Sequence, residues 1–228
     1  MDVRFKLGQM ARLLQTFIGI LGFYITLQSQ QKLTQGYVDQ NTIYDPCNSQ
    51  PTQIRDAITI GVAFVGDITT WYNNSDVSLN VLSPCKSPLA DKLTKVGFIA
   101  LFRPQIDQLS LLNIENSSLI SLSTTFAQSV SLLLYAQGMN NTILAGPRSF
   151  MSPYGMVPSL TTIVDFENGY IKNFTWKNDD CLDCPQSSMC LDKNCVDPQV
   201  QCTAASSNSN SCNFSINVAF SGETTTTI

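Results

Sequence analysis

The stretch YIKNFTWKNDDCLDCPQSSMCLDKNCVDPQVQCTAASSNSNSCNFSINVAFSG, Tyr170 to Gly222, reads as a strand, a cysteine-dense loop and a second strand. Six of the eight cysteines fall in it: Cys181, Cys184, Cys190, Cys195, Cys202 and Cys212. The loop, residues 178–212, has almost no apolar content, so burial of its own side chains cannot hold it. The expectation is that covalent cross-links pin it to the flanking strands, Tyr170–Lys177 and Asn213–Ser221. In the second of these Phe214, Ile216, Val218 and Phe220 alternate with Asn213, Ser215, Asn217 and Ala219, which gives one face to a core and the other to water.

Immediately upstream, Leu160–Phe166 is separated from Tyr170 by Glu167-Asn168-Gly169, and Asn-Gly between two such runs predicts a hairpin. A two-residue turn sets Asp165 opposite Lys172 and Val164 opposite Asn173. If that second pair faced the core, a glycan on Asn173 would be excluded, and the register stays open. Further back, Ile58, Ile60, Val62 and Phe64 alternate with Thr59, Gly61 and Ala63, the pattern of a strand with one buried face. Val77, Leu79 and Val81 repeat it. Lys95–Phe102 is a nearly continuous apolar run, expected as a central strand. Ile106–Leu112, Leu119–Ser123 and Ser129–Gln137 are read as further strands, and Gly138–Pro147 and Ser149–Pro158 as loops. No helical period is sustained over three turns after the N-terminal apolar run. The fold class is therefore all-β: an antiparallel β-sandwich, jelly-roll-like, over residues 30–222, entered through an extended segment and followed by a disordered tail at 223–228.

Compartment is read from three features. Arg4, Lys6 and Arg12 precede an apolar run from Leu13 to Leu27, so residues 1–29 are expected to be a signal peptide. Leu27 departs from the small-x-small preference for cleavage after Ser29, and a retained leader would be a signal anchor; either way the body is translocated. Asn73, Asn116, Asn140, Asn173 and Asn213 each head an Asn-x-Ser/Thr sequon. An even number of cysteines suits disulfides in an oxidising compartment. Cys47 and Cys85 lie outside the cluster, so their pairing is the simplest assignment, worth about 4 kcal/mol in the chain-entropy model. Connectivity among the other six stays open.

Charge and composition exclude several chemistries. The formal net charge is −4, about −6 without the leader, and no basic stripe remains, which argues against a nucleic-acid partner. Only 13% of residues are charged, and polarity carried by Ser, Thr, Asn and Gln suits a glycan-covered surface. Histidine is absent, which removes triads of the usual kind, histidine-ligated zinc and imidazole acid–base work. Cys181-x-x-Cys184 with Cys190 and Cys195 could be spaced for a four-thiolate zinc or a redox pair, but compartment and the lack of a βαβ pattern favour disulfides.

Asn178, Asp179, Asp180, Asp183, Asp192 and Asp197 offer the oxygens that calcium takes, without EF-hand spacing, so a solvated acidic loop is the simpler reading and no cofactor is expected. A carboxylate-only hydrolase would need two facing carboxylates. Glu115, Glu167, Glu223 and scattered Asp show no such spacing, and an enzyme is not expected. Trp71, Tyr72 and Trp176, with Tyr154 and Tyr170, are candidates for stacking against sugars, although strand aromatics more often belong to a core. The Trp71-Tyr72 pair beside the turn at Asn73–Asp76 is the leading platform.

Phe-Thr-Trp-Lys, an acidic pair and Cys-x-x-Cys over Asn173–Cys184, together with the Val-Ala-Phe-Ser-Gly ending of Ile216–Gly222, resemble a family of small plant secreted proteins with a leader and no assigned activity. The resemblance implies an extracellular or cell-surface protein and supplies no catalytic residues. The functional expectation is a secreted or cell-surface glycoprotein with a structural or interaction role, self-associating through exposed sheet edges. The alternative is a carbohydrate-binding module of a cell wall or extracellular matrix. Partners would be a second copy, an extracellular glycan or a protein, with a membrane only if the leader is retained.

Overall fold

The computed structural model describes residues 38–72, 81–182, 184–185, 188–200, 202 and 212–224. The chain divides into Met1–Val38 and a compact unit, Asp39–Ile228; only the second is described below. In chain order its elements are β1 (Ile60–Val65), α1 (Leu89–Val96), β2 (Phe98–Phe102), β3 (Ser110–Ile114), α2 (Asn116–Thr125), β4 (Val130–Gln137), β5 (Thr142–Ser152), β6 (Gly155–Met156), β7 (Ser159–Glu167), β8 (Tyr170–Lys177), β9 (Cys190–Leu191), β10 (Asn194–Cys195) and β11 (Phe214–Gly222). A five-stranded sheet runs β2-β1-β4-β5-β6, a four-stranded sheet runs β3-β11-β7-β8, and β9-β10 is a small hairpin.

The two large sheets bury one shared core. Ile60, Val62, Phe64, Leu132, Leu134 and Phe150 from the first meet Leu112, Leu160, Val164, Phe174, Phe214, Ile216 and Val218 from the second. The Phe150 and Phe214 rings sit 4.2 Å apart between centroids and join the layers directly. The fold is thus all-β. One pairing departs from the antiparallel expectation: β11 runs parallel to β7, from Ser215 opposite Ser159 to Gly222 opposite Phe166. A parallel neighbour cannot be reached through a tight turn and needs a long crossover. The cysteine-dense segment after β8 is that crossover, bringing the chain back into the gap between β7 and β3.

A second apolar cluster covers the outer face of the five-stranded sheet. It gathers Ala63, Val65, Trp71, Leu89, Leu93, Leu133 and Tyr135, with Cys47, Cys85 and Leu82 against its edge. β1, expected to bury one face, is therefore buried along all six residues. The covering layer consists of the 3-10 turn Ile68–Trp71, helix α1 and the Cys47–Cys85 bridge. Hydrogen bonds from the Thr69 side chain and backbone N–H anchor the start of that turn and hold the Asp67 carboxyl below its usual range. Gly61 lies opposite Tyr135 in the ladder, and a Cβ there would fall 2.2 Å from the ring, so only glycine lets the phenol lie flat across β1.

Burial in this layer, with Asp45 nearby, pushes the Tyr135 phenol up to about 12. In an unfolded chain it would ionise near pH 10. The neutral phenol's contribution to stability is therefore whole below about pH 10 and is lost as pH rises towards about 12. Thermal melts should show a steeper loss across that window for the native chain than for Tyr135→Phe; parallel curves would refute the assignment.

Both helices contradict the expectation of a helix-free body. α1 spans eight residues, too few for a sustained period, and buries only Leu89 and Leu93, one turn apart. α2 has a sequence of Asn, Ser and Thr with poor helix propensity, yet Leu119, Leu122 and Ser123 form one buried face. Leu119–Ser123, expected as a strand, is thus helical because tertiary packing overrides propensity. The loops expected at Gly138–Pro147 and Ser149–Pro158 are largely β5 and β6, which pair with each other at Met151–Met156. The strand expected at Val77–Val81 lies mostly outside the described residues; Val81 bridges Tyr72.

The hairpin turns at Asn168 and Gly169, both with positive φ (52° and 78°), as a two-residue primed turn requires. A bulge then shifts the register between Asp165 and Phe166, so Asp165 faces Asn173 and Val164 faces Phe174. Lys172 loses its expected partner and pairs with Glu167 at 3.2 Å. The bulge leaves Asn173 exposed, which removes the conflict between its sequon and a core-facing position.

Cys47–Cys85 forms as expected. The other bridges are Cys181–Cys190, Cys184–Cys195 and Cys202–Cys212. None reaches a flanking strand, which corrects the expectation of covalent pinning to β8 and β11: the crossover is stapled to itself. Non-covalent contacts attach it to the sandwich. Met156 and Asp197 exchange backbone hydrogen bonds at 3.3 and 3.0 Å. Val196, Cys202 and Cys212 are buried in the main core, and Arg148 on β5 holds Asp192 at 3.1 Å and Asn178 at 2.8 Å. β11 extends to Gly222, and beyond it the Glu223 N–H donates to the Phe166 carbonyl while the Glu223 carbonyl accepts from the Gly169 N–H. The tail is therefore held one residue further than expected, and 225–228 lie outside the described residues.

Candidate interaction surface

The two sides of the sandwich are closed to different degrees. On the β5/β8 side the indole N–H of Trp176 donates to the Gly146 carbonyl at 2.7 Å, and the Arg148 contacts seal the neighbouring edge. On the β2/β3 side the sheets part around a largely apolar groove of about 310 Å³. Phe64, Phe98, Ala100, Phe102, Ile114 and Leu122 supply its apolar lining, and Asn113, Glu115, Ser118 and Ser121 its polar side. Phe126, just past α2, meets Phe98 edge-on at 5.8 Å.

β2 forms one wall, and its sequence, Phe98-Ile99-Ala100-Leu101-Phe102, was expected at the centre of a sheet. It is an edge strand instead, paired with β1 along one side and, among the described residues, with nothing along the other. Phe98, Ile99 and Leu101 are 42, 49 and 56% exposed, and Val96 beside them 47%. The position at the centre belongs to β4, which buries nearly every residue. Cross-strand pairing places Phe98, Ala100 and Phe102 on the groove face, with Phe64, Val62 and Ile60. Ile99 and Leu101 therefore point to the outer face.

The other edges carry devices that discourage pairing. β8 has Lys172, Lys177, the Asn173 sequon and a bulge at Lys172 itself. β6 has only two residues and is bridged by Asp197. β3 is only partly polar, with Ser110 and Asn113 flanking an exposed Leu111. β2 has no polar side chain at all. Its end is held by Arg103, whose guanidinium engages Asp39, the Asn41 and Ile43 carbonyls and, at 3.0 Å, Thr59, with the Tyr44 ring 4.2 Å away.

The sugar-stacking candidates are dispersed. Trp71 is 0% exposed, and its indole N–H donates to Ser131 at 3.0 Å, so it is a core residue with no face open to a sugar. Tyr72 and Trp176 are half-buried, one on the outer apolar layer and one at the sheet junction. Asn140, Asn173 and Asn213 are exposed, Asn116 is half-buried in the first turn of α2, and Asn73 lies outside the described residues. Of the acidic-loop residues, Asp192 is engaged by Arg148 and the Ser149 N–H, Asp197 caps Gln199, and Asp183 lies outside the described residues. Among the described residues no three carboxylates or thiols converge in the way a metal site requires, and the Cys-x-x-Cys sulfurs bond to Cys190 and Cys195 rather than to each other. The open edge itself was missed from sequence; the one signal was that the apolar run follows directly on a short amphipathic segment and stops at Arg103-Pro104.

These features define the class: a disulfide-stapled β-sandwich in which, among the described residues, the apolar β2 edge is uncovered. Residues 135–227 match the model of a family described as Uncharacterised protein DDB_G0273449, a span that begins in β4 and takes in the crossover. No curated protein and no solved structure matches the chain. β2, α2 and the Cys47–Cys85 bridge all precede the matched span.

Proposed function

We propose that this chain is a secreted or cell-surface glycoprotein with a structural and interaction role, acting by self-association through the β2 edge. One observation carries the reading: among the edge strands longer than two residues, β2 alone has no charge, sequon or other polar side chain. Four disulfides with no free cysteine support an oxidising destination. Among the described residues no helix is long and apolar enough to cross a membrane. Exposed Asn140, Asn173 and Asn213 support glycan attachment. A low charge leaves little long-range repulsion between copies.

Sedimentation of the full chain from a secretory host tests this. Assembly should grow with concentration and survive added salt, since the surface is apolar. Ile99→Lys with Leu101→Lys should abolish it while leaving the melting temperature nearly unchanged, because both side chains already face solvent and such substitutions usually shift stability by about 0.5 kcal/mol or less. A wild-type chain that stays monomeric at about 100 µM, a hundredfold above a micromolar Kd, would overturn the reading.

A further inference from the structure

We infer that two copies join by antiparallel β2–β2 pairing about a two-fold axis through Ala100, making one continuous sheet; this rests on the self-association proposed above. The sequence of β2 is nearly palindromic in chemistry. Pairing about Ala100 sets Phe98 against Phe102 of the second copy, Ile99 against Leu101, and Ala100 against itself, with the large and small side chains matched on both faces. Like charges do not meet: Arg103 falls opposite Gly97 and is already paired with Asp39 of its own chain. Shifting the register by one residue would set Phe98 against Leu101 and Ile99 against Ala100, mixing the sizes that the two-fold arrangement matches. Since a two-fold axis normal to the sheet keeps each face on its own side, the two apolar grooves adjoin across it and Phe98 and Phe102 close over them.

The same pairing accounts for why an uncovered apolar edge need not propagate. A two-fold contact consumes the edge of both partners, and the ends of the enlarged sheet are the two β6 strands, each two residues long and covered by the crossover. The product is a closed dimer.

Cysteine cross-linking in the full chain reads the register. Directly opposed residues lie about 4.5–5.5 Å apart between Cα atoms, within disulfide reach. Ala100→Cys should therefore form a covalent dimer under mild oxidation, with intact mass showing the four native bridges retained. Phe98→Cys alone should not, because its two copies are offset by four residues, roughly 14 Å along the strand. A mixture of Phe98→Cys and Phe102→Cys should cross-link as a heterodimer at least about tenfold faster than either alone, since only the mixture opposes two thiols within reach. Ala100→Cys is a small change that keeps the test available if either phenylalanine variant fails to fold. Assembly in sedimentation without this cross-linking pattern would sink the register while leaving self-association standing. A monomer by sedimentation, with no cross-linking from any variant, would sink both; that outcome includes a β2 edge covered by another part of its own chain.

Discussion

Trp71→Ala is expected to destabilise the protein by about 4 kcal/mol, the range for emptying a fully buried large aromatic site. Trp71 is wholly enclosed between β1, β4 and the layer that carries α1. Its removal leaves a cavity and takes away the indole N–H that Ser131 accepts. Typical domains are stable by only 5–15 kcal/mol, so a large part of the margin would go. Chemical denaturation read by tryptophan-independent far-UV dichroism measures the loss. Trp71→Phe should recover much of it, since the ring volume is mostly restored and the hydroxyl of Ser131 retains the Val65 carbonyl at 3.4 Å. A Trp71→Ala variant with unchanged stability and lost sugar binding would reinstate the platform that burial argues against.

The second large effect concerns the Cys47–Cys85 bridge. Replacing both cysteines with serine should cost about 4 kcal/mol in the chain-entropy model for a loop of this length. The bridge joins positions 38 apart in sequence and packs on the same outer layer as Trp71. Each bridge in the crossover spans 9 to 11 positions and should individually contribute less, about 3 kcal/mol. Denaturant midpoints of the double-serine variants rank the four. A crossover pair outranking Cys47–Cys85 would show that strain or residual structure in the unfolded chain, rather than loop length, governs the order.

Most strands were legible where one face is wet. β7 and β11 alternate cleanly because each has a solvent side, and the Asn168-Gly169 turn announces itself through backbone chemistry that few other residues tolerate. Legibility failed where burial is two-sided or absent. β1 and β4 are buried on both faces, and a continuous apolar run in β4 looks the same in sequence as the continuous run in β2. Composition cannot tell a strand enclosed by the fold from one awaiting a partner. α2 was hidden for a different reason: its Ser and Thr side chains carry little helical preference, and only the packing of Leu119 and Leu122 makes the helix.

By itself the sequence determined the all-β class, the pairing of Cys47 with Cys85, the primed turn and the exclusion of imidazole chemistry. Each of these depends on residue type and local spacing, which the chain carries without reference to its neighbours. Tertiary structure decided the strand order, the parallel entry of β11, the connectivity inside the crossover, the burial of Trp71 and the exposure of β2. Those depend on which distant segments meet, and the same apolar residues serve equally well as the middle of a sheet or its edge until another strand does or does not arrive.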